Sequence, residues 1–157
     1  MATATITPDQ NAVVAEIFIA APPARVFQAI SDPSQLPKWW GQDGLYHVTK
    51  STMDVRPGGK WRSDGVGADG KSFYVEGEYL EVDPPSRLVL TQVYERLAHI
   101  GEAVVTADFE ESQGKTRLTL RQLFPSKEAL EGALASGMER GMRVTLDQLD
   151  ELVASTR

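Results

Sequence analysis

The stretch SKEALEGALASGMERGMRVTLDQLDELVAS, residues 126–155, decides the fold. No proline interrupts it, and Ser126 can cap its N-terminus by accepting a hydrogen bond from an early backbone N–H group. Its apolar side chains recur three and four residues apart, which is the period of one face of an α-helix. The members of this stripe are Leu130, Leu134, Met138, Met142, Leu146, Leu149 and Val153. The stretch therefore predicts one long amphipathic helix whose stripe packs on the rest of the chain.

Glycines and methionines set the first half of this helix apart. Gly137 and Gly141 lie four residues apart and share a face, although a glycine inside a helix costs about 1 kcal/mol relative to alanine. Met138 and Met142 lie beside them, and methionine side chains adapt to irregular surfaces. This half of the helix is expected either to pack in an ordinary core, which is the commoner role of such residues, or to form the wall of a ligand pocket.

The residues before the helix predict a sheet. Residues 13–20 alternate in polarity as a strand does, and two short helices that begin near prolines follow them. From Leu45 to Phe124, short strand patterns are separated by turn residues such as Asp69 and Gly70, which is typical of antiparallel hairpins. This order predicts an α+β fold in which a curved antiparallel sheet of about six or seven strands wraps around the C-terminal helix.

The expected domain organisation is simple. Residues 1–11 show no clear pattern and are expected to be a flexible lead, and residues 12–154 are expected to form one domain. No secretion signal is visible at the N-terminus, which favours a cytoplasmic location.

The composition excludes several classes of function. The chain has 157 residues, a net charge of −6 and no cysteine. Disulfides, thiolate catalysis and zinc–thiolate sites are therefore excluded, and the lack of cysteine also favours the cytoplasm. An acidic chain argues against nucleic acid as a partner, and no apolar run is long enough for insertion in a membrane.

No residue pattern predicts catalysis. His47 and His99 lie far apart without carboxylates at metal-ligand spacing, so no metal site is expected. Nucleophile, metalloprotease and phosphate-loop motifs are missing from the sequence, and no cofactor is expected. The chain is expected to be non-enzymatic, and an enzyme that uses Glu78, Tyr94 or Glu95 as acid or base is the alternative.

Aromatic and polar side chains indicate where a small molecule would bind. Trp39 and Trp40 precede a glycine-containing loop, so one can pack in the core while the other caps a pocket. Gln92, Tyr94 and Gln122 are in phase with the apolar residues of their strands. They are expected either to line an apolar cavity or to reach solvent where the strands bend. The predicted cavity residues are Trp39, Trp40, Trp61, Tyr79, Gln92, Tyr94, Gln122, Leu134, Gly137, Met138, Gly141 and Met142.

Five segments, in this order, resemble one protein family. They are APPARVFQAISDPSQLPKWWG (21–41), PGGKWR (57–62), VEGEYLEVDPPSRLVLT (75–91), TRLTLRQLFPS (116–126) and SGMERGMRVTLDQLDEL (136–152). They are similar to bacterial relatives of the C-terminal domain of the activator of heat-shock-protein-90 ATPase, over about residues 12–154. That family belongs to the START-like superfamily, also described as polyketide cyclase and birch-pollen-allergen-like (SRPBCC). The resemblance implies a helix-grip fold with a hydrophobic cavity between the sheet and the C-terminal helix.

The resemblance implies a class of function rather than a ligand. The leading expectation is binding of a small hydrophobic or amphipathic molecule in the cavity. The alternatives are a cyclase- or hydrolase-like enzyme in the same cavity, and an interaction module that docks a chaperone or regulator. Relatives often carry tryptophan at the position of Met142, so the cavity of this chain is expected to differ in shape. A homodimer is also compatible with the sequence.

Overall fold

The computed structural model describes residues 4–40 and 46–155, within which eight strands form one antiparallel sheet. The strands are β1 Thr5–Asp9, β2 Ala12–Ile19, β3 Tyr46–Met53, β4 Lys60–Gly67, β5 Ser72–Asp83, β6 Arg87–Tyr94, β7 Ala103–Ser112 and β8 Lys115–Leu123. Across the sheet they lie in the order β1-β2-β8-β7-β6-β5-β4-β3. The helices are α1 Pro23–Ser31, α2 Leu36–Trp39, α3 Lys127–Ala135 and α4 Met138–Ser155, with a 3₁₀ helix at Glu95–Ile100.

This architecture confirms the predicted α+β helix-grip class, with more strands than expected. The extra strand, β1, lies in the segment expected to be a flexible lead and pairs with β2 from Thr5 opposite Glu16 to Asp9 opposite Ala12. Most of its residues are exposed, because β1 is at the edge of the sheet. A strand exposed on both faces has no alternating pattern of polarity, so its sequence carried no strand signal.

The C-terminal stretch predicted as one helix forms two. Gly137 has a φ of +88°, the left-handed conformation that commonly ends a helix at glycine, and α4 begins at the next residue. The predicted cap is present, because the Ser126 hydroxyl accepts a hydrogen bond of 3.0 Å from the Ala129 N–H. The break rotates α3 relative to the predicted stripe, so Leu134 is 40% exposed while Leu146 remains only 2% exposed.

Strand alternation places the core on the concave face of the sheet. In β2 the inward residues Val13, Ala15, Ile17 and Ile19 are all buried. On β8 the buried Leu118 lies opposite Ile17, so the two inward faces continue from strand to strand. Helix α4 packs over this face against β2, α1 and α2 through its buried stripe.

Three buried or half-buried hydrogen bonds fasten the short helices to the sheet and to each other. The Thr116 hydroxyl donates to the Ala21 carbonyl at 2.7 Å, and the Ser51 hydroxyl donates to the Pro33 carbonyl at 2.7 Å. The Trp39 indole Nε1 donates to the Ala29 carbonyl at 2.9 Å. Both ends of the α1–α2 segment are therefore held in fixed positions beside α4.

Candidate functional site

One row of side chains crosses the concave face under the C-terminal helices. Tyr79 of β5 lies opposite Leu90 of β6, Leu90 lies opposite Val105 of β7, and Val105 lies opposite Gln122 of β8. Tyr79 and Val105 are buried, whereas Leu90 and Gln122 are half-buried. We call these four residues the concave row. Because Leu90 lies on the inner face of a central strand, its remaining exposure indicates accessible space on the concave side of the sheet.

The neighbouring row repeats this pattern. Leu88, Ala107 and Leu120 lie opposite one another on β6, β7 and β8. Leu88 and Ala107 are buried, yet Leu120 is half-buried on a strand that has neighbours on both sides. The uneven burial of inward leucines is what a partly filled concavity produces, since a close-packed core would cover all of them.

Two polar side chains on the concave face are buried without a partner among the described residues. Tyr79 is 2% exposed and Gln92 is 7% exposed. Neither side chain hydrogen-bonds to any residue in the part of the chain that the structure describes. Buried polar groups in proteins are nearly always hydrogen-bonded, to protein, water or ligand. The polar atoms of Tyr79 and Gln92 are not among the fully buried unpartnered atoms of the described residues, so water or a ligand on the concave side can be their partner.

The Tyr79 hydroxyl is held in its protonated form. Burial raises the pKa of Tyr79, and the nearby Asp54 carboxylate raises that pKa further. The phenol therefore stays neutral over the physiological range and can both donate and accept a hydrogen bond.

Trp61 forms a fixed wall of the site. Its indole Nε1 donates a hydrogen bond of 3.0 Å to the Thr91 carbonyl, across the intervening strand β5. A Cβ atom on Gly77 would lie 1.8 Å from that carbonyl oxygen and 2.7 Å from the indole nitrogen, so only glycine permits this contact. Because the indole N–H is already used, Trp61 offers a ligand its ring surface rather than a donor.

The two tryptophans at the end of α2 differ in burial, as is expected if one packs in the core and the other borders a pocket. Trp39 is buried and bonded to Ala29, so it belongs to the core. Trp40 is half-buried, and its ring meets that of Trp39 edge-on with centroids 5.6 Å apart. The loop expected to close over the pocket, residues 41–45, lies outside the described residues.

On the helical side, the methionines and glycines have different surroundings. Met138 and Met142 are half-buried and pack on the cluster that contains Val13 and Phe124, and Met142 also contacts the main core. No atom lies within 4 Å of where a Cβ on Gly141 would be. Gly141 lies about 140° around α4 from Leu146, so it faces the flank of the helix rather than the sheet.

The remaining predicted cavity residues fall into two groups. The structure brings Trp61, Tyr79, Gln92, Tyr94 and Gln122 together on the inner face of the sheet. Leu134 is exposed on α3, and Gly137 forms the turn between α3 and α4. Sequence reasoning missed Leu90, Leu120 and Gly77. For Gly77 a signal was available, because a glycine inside a strand often marks a close approach of another group.

Of the groups considered for catalysis, Tyr94 lies on the inner face of the sheet, but the two carboxylates lie elsewhere. Glu78 points to the convex face, where it forms an ion pair of 2.6 Å with Lys60, and the Glu95 carboxylate accepts a hydrogen bond from the Tyr74 backbone N–H. Among the described residues, no cluster of His, Asp and Glu could hold a metal ion.

Carboxyl groups with shifted pKa values also lie outside the concavity. The Ser34 hydroxyl lowers the pKa of Asp32, and the backbone N–H of Lys71 lowers the pKa of Asp69. Both carboxyl groups belong to solvent-accessible turns, so their shifts reflect local turn structure rather than acid–base chemistry at the site.

Exposed apolar side chains are scattered over the surface. Phe18 and Leu123 are 50% and 41% exposed, and they lie at opposite ends of the β2–β8 pair, opposite Arg117 and Ala12 respectively. Such single exposures are normal in folded proteins and do not mark a docking surface. No helix within the described residues is both long and apolar enough to cross a membrane.

Comparisons with known proteins agree with this fold. The family model described as Activator of Hsp90 ATPase homolog 1-like protein matches residues 20–154. Among solved structures, a protein of Mycobacterium smegmatis is 28% identical, with a TM-score of 0.86 over 97% of this chain and 96% of its own. A protein of Rhodobacter sphaeroides is 25% identical, with a TM-score of 0.87 over 97% and 99%. One from Arthrobacter aurescens is also 25% identical, with a TM-score of 0.88 over 96% and 91%. No curated protein matches the chain significantly.

Proposed function

This chain belongs to the Activator of Hsp90 ATPase homolog 1-like family, and we propose that it binds a small apolar or amphipathic molecule on the concave side of its sheet. The observation that carries the proposal is the combination of accessible apolar surface at Leu90 with the side chains of Tyr79 and Gln92, which are largely buried on the same face and hydrogen-bond to no described residue. Apolar walls with a few convergent polar groups are the usual make-up of small-molecule sites.

The ligand lies between the sheet and the first half of α4. Leu90 and Leu120 supply the floor, and the half-buried Met138 and Met142 supply an adaptable wall on the helix. The ring of Trp61 bounds the space on one side. Burying the accessible parts of these side chains contributes about 25 cal/mol per Å² of apolar surface removed from water.

A titration with a neutral apolar dye tests this proposal. N-phenylnaphthylamine fluoresces when it enters an apolar site, and we expect saturable binding to the wild-type protein. Leu90→Trp places a larger ring on the concave face and is expected to weaken binding by about tenfold or more, a change of about 1.4 kcal/mol. Val89→Trp is the matched control, because Val89 is the preceding residue of β6 and faces the convex side.

Loss of dye binding is meaningful only if the variants are folded. Thermal melts must show that both variants fold, and Leu90→Phe replaces Leu90→Trp where tryptophan prevents folding. Unchanged dye affinity in a folded Leu90 variant, or equal losses in both tryptophan variants, would remove the concave side as the site. Native mass spectrometry of the protein purified from its own host would then identify a retained molecule.

A further inference from the structure

The concave face carries no charge over its central part. On β2 and β4–β8 the inward residues are apolar, glycine, serine, threonine, glutamine or tyrosine, except Glu111, which is exposed at the hairpin end of β7. Most other charged residues of these strands lie on the convex face, where they form ion pairs. Those pairs include Lys60–Glu78 at 2.6 Å, Arg62–Glu76 at 3.2 Å, Arg87–Asp108 at 2.8 Å and Arg117–Glu16 at 2.7 Å.

The helices supply no cation to this face either. Every lysine and histidine in the described part of the chain is exposed. Arg143 donates to the Ala4 carbonyl at 2.7 Å, and Arg25 donates to the Gln35 side chain at 2.9 Å. The one charged residue among those described that is buried is Asp150 of α4, at 6% exposure, and its carboxylate would repel an anion. An anionic head group would therefore be buried here without a counter-ion, which is strongly unfavourable.

Tyr79 and Gln92 nevertheless provide hydrogen bonds. They lie on adjacent strands two residues apart in register, and such diagonal neighbours are about 7–8 Å apart, within reach of one polar group. A phenol is one donor and an acceptor, while a glutamine amide offers two donors and an acceptor. Together they complement a neutral group that both accepts and donates, such as a carboxamide or a hydroxyl.

We propose that the molecule bound at this site has an uncharged, hydrogen-bonding head that pairs with Tyr79 and Gln92, and an apolar tail that lies along Leu90 toward Met142. This inference rests on the proposed function and narrows its ligand class. It excludes free fatty acids as good ligands and selects neutral amides and alcohols of similar length.

A series of probes with one tail and three heads tests the inference. Decanamide, decanoic acid and decylamine are titrated into the wild-type protein by calorimetry at about pH 7, where the acid and the amine are both ionised. We expect decanamide to bind at least about tenfold more tightly than decanoate. Decanoate or decylamine binding as tightly as decanamide overturns the neutral-head inference and leaves the ligand-binding function standing. Failure of all three probes together with N-phenylnaphthylamine overturns both.

Substitutions of Gln92 test whether this side chain binds the head group of the ligand. Gln92→Leu is expected to weaken decanamide binding about tenfold. Gln28→Leu makes the same chemical change at an exposed site of α1 and is expected to leave the binding of decanamide and of N-phenylnaphthylamine unchanged. Gln92→Glu is expected to improve decylamine binding about tenfold, because it supplies a counter-ion. Folding of each variant is checked by thermal melting. If decanamide affinity is the same in wild type and a folded Gln92→Leu protein, Gln92 does not bind the head group and the inference is wrong.

Discussion

The indole nitrogen of Trp61 and the backbone carbonyl of Thr91 are joined by a hydrogen bond of 3.0 Å that passes over strand β5. Trp61 is on β4 and Thr91 is on β6, so a side chain connects two strands that are not neighbours. The Thr91 hydroxyl accepts a second bond of 2.9 Å from the Glu78 backbone N–H. These contacts fix the aromatic wall of the concave site, and they depend on the missing side chain of Gly77.

Gly77→Ala is therefore expected to destabilise the protein by about 3 kcal/mol or more, since the new methyl group would clash with a carbonyl and break the Trp61 bond. Urea denaturation followed by circular dichroism measures the change. Trp61→Phe removes the hydrogen bond without the clash and should cost less, about 1–3 kcal/mol. A Gly77→Ala protein as stable as wild type would show that β5 and β6 can separate freely at this point.

The two glycines near the start of α4 are expected to respond in opposite directions. Gly141 lies inside the helix, and no atom lies within 4 Å of where its Cβ would be, so Gly141→Ala should stabilise the protein by about 0.5–1 kcal/mol. Gly137 has a φ of +88°, so Gly137→Ala should destabilise it by about 1 kcal/mol. Chemical denaturation of both variants gives the two signs, and a Gly137→Ala protein as stable as wild type or more stable contradicts the assigned helix break.

The sequence predicted the fold well because the relevant signals are local. Hairpin turns and the apolar stripe from Met142 to Val153 each follow from residues close together in the chain. The break at Gly137 was missed because a glycine inside a periodic pattern is equally compatible with a helical residue and with a helix terminator.

The site was harder to predict because it depends on register. Alternation put Gln92 and Gln122 in phase with the apolar residues of their strands but left open whether they line the cavity or reach solvent. Their position relative to Tyr79 requires the pairing of four strands. Leu90 looked like any other strand leucine, since its partial exposure depends on how far α4 stands from the sheet. Such long-range distances are not encoded in any short stretch of sequence.

The buried stripe of α4 should dominate the stability of the C-terminal region. Leu146→Ala is expected to cost about 2–5 kcal/mol, because Leu146 is only 2% exposed and its removal leaves a cavity. Met142→Ala should cost less, since Met142 is half-buried. Leu134→Ala, at a residue that is 40% exposed, should change stability by no more than about 0.5 kcal/mol. If urea titrations show equal losses of stability for Leu146→Ala and Leu134→Ala, the prediction of one continuous buried stripe is right and the break at Gly137 is wrong.

At alkaline pH, the burial of Tyr79 should lower the stability of the folded protein. Because its folded-state pKa lies above the unfolded value of about 10, folding favours the protonated phenol. That contribution is complete below about pH 10 and is lost as the pH rises from there toward the folded-state pKa. Tyr79→Phe cannot ionise and lacks this dependence. The stability of wild type relative to Tyr79→Phe should therefore fall by about 1 kcal/mol between about pH 10 and 11.

Two measurements check this expectation. Urea denaturation of both proteins at several alkaline pH values gives the stability difference directly, and the other ionisable groups cancel because the two proteins share them. Absorbance at alkaline pH counts ionised phenols, and Tyr79 should stay protonated in the folded wild type at about pH 11. Folded Tyr79→Phe should lose no absorbance in that range relative to folded wild type. A constant stability difference across the range, with Tyr79 ionised in the folded wild type at about pH 11, would mean that water reaches the Tyr79 hydroxyl freely.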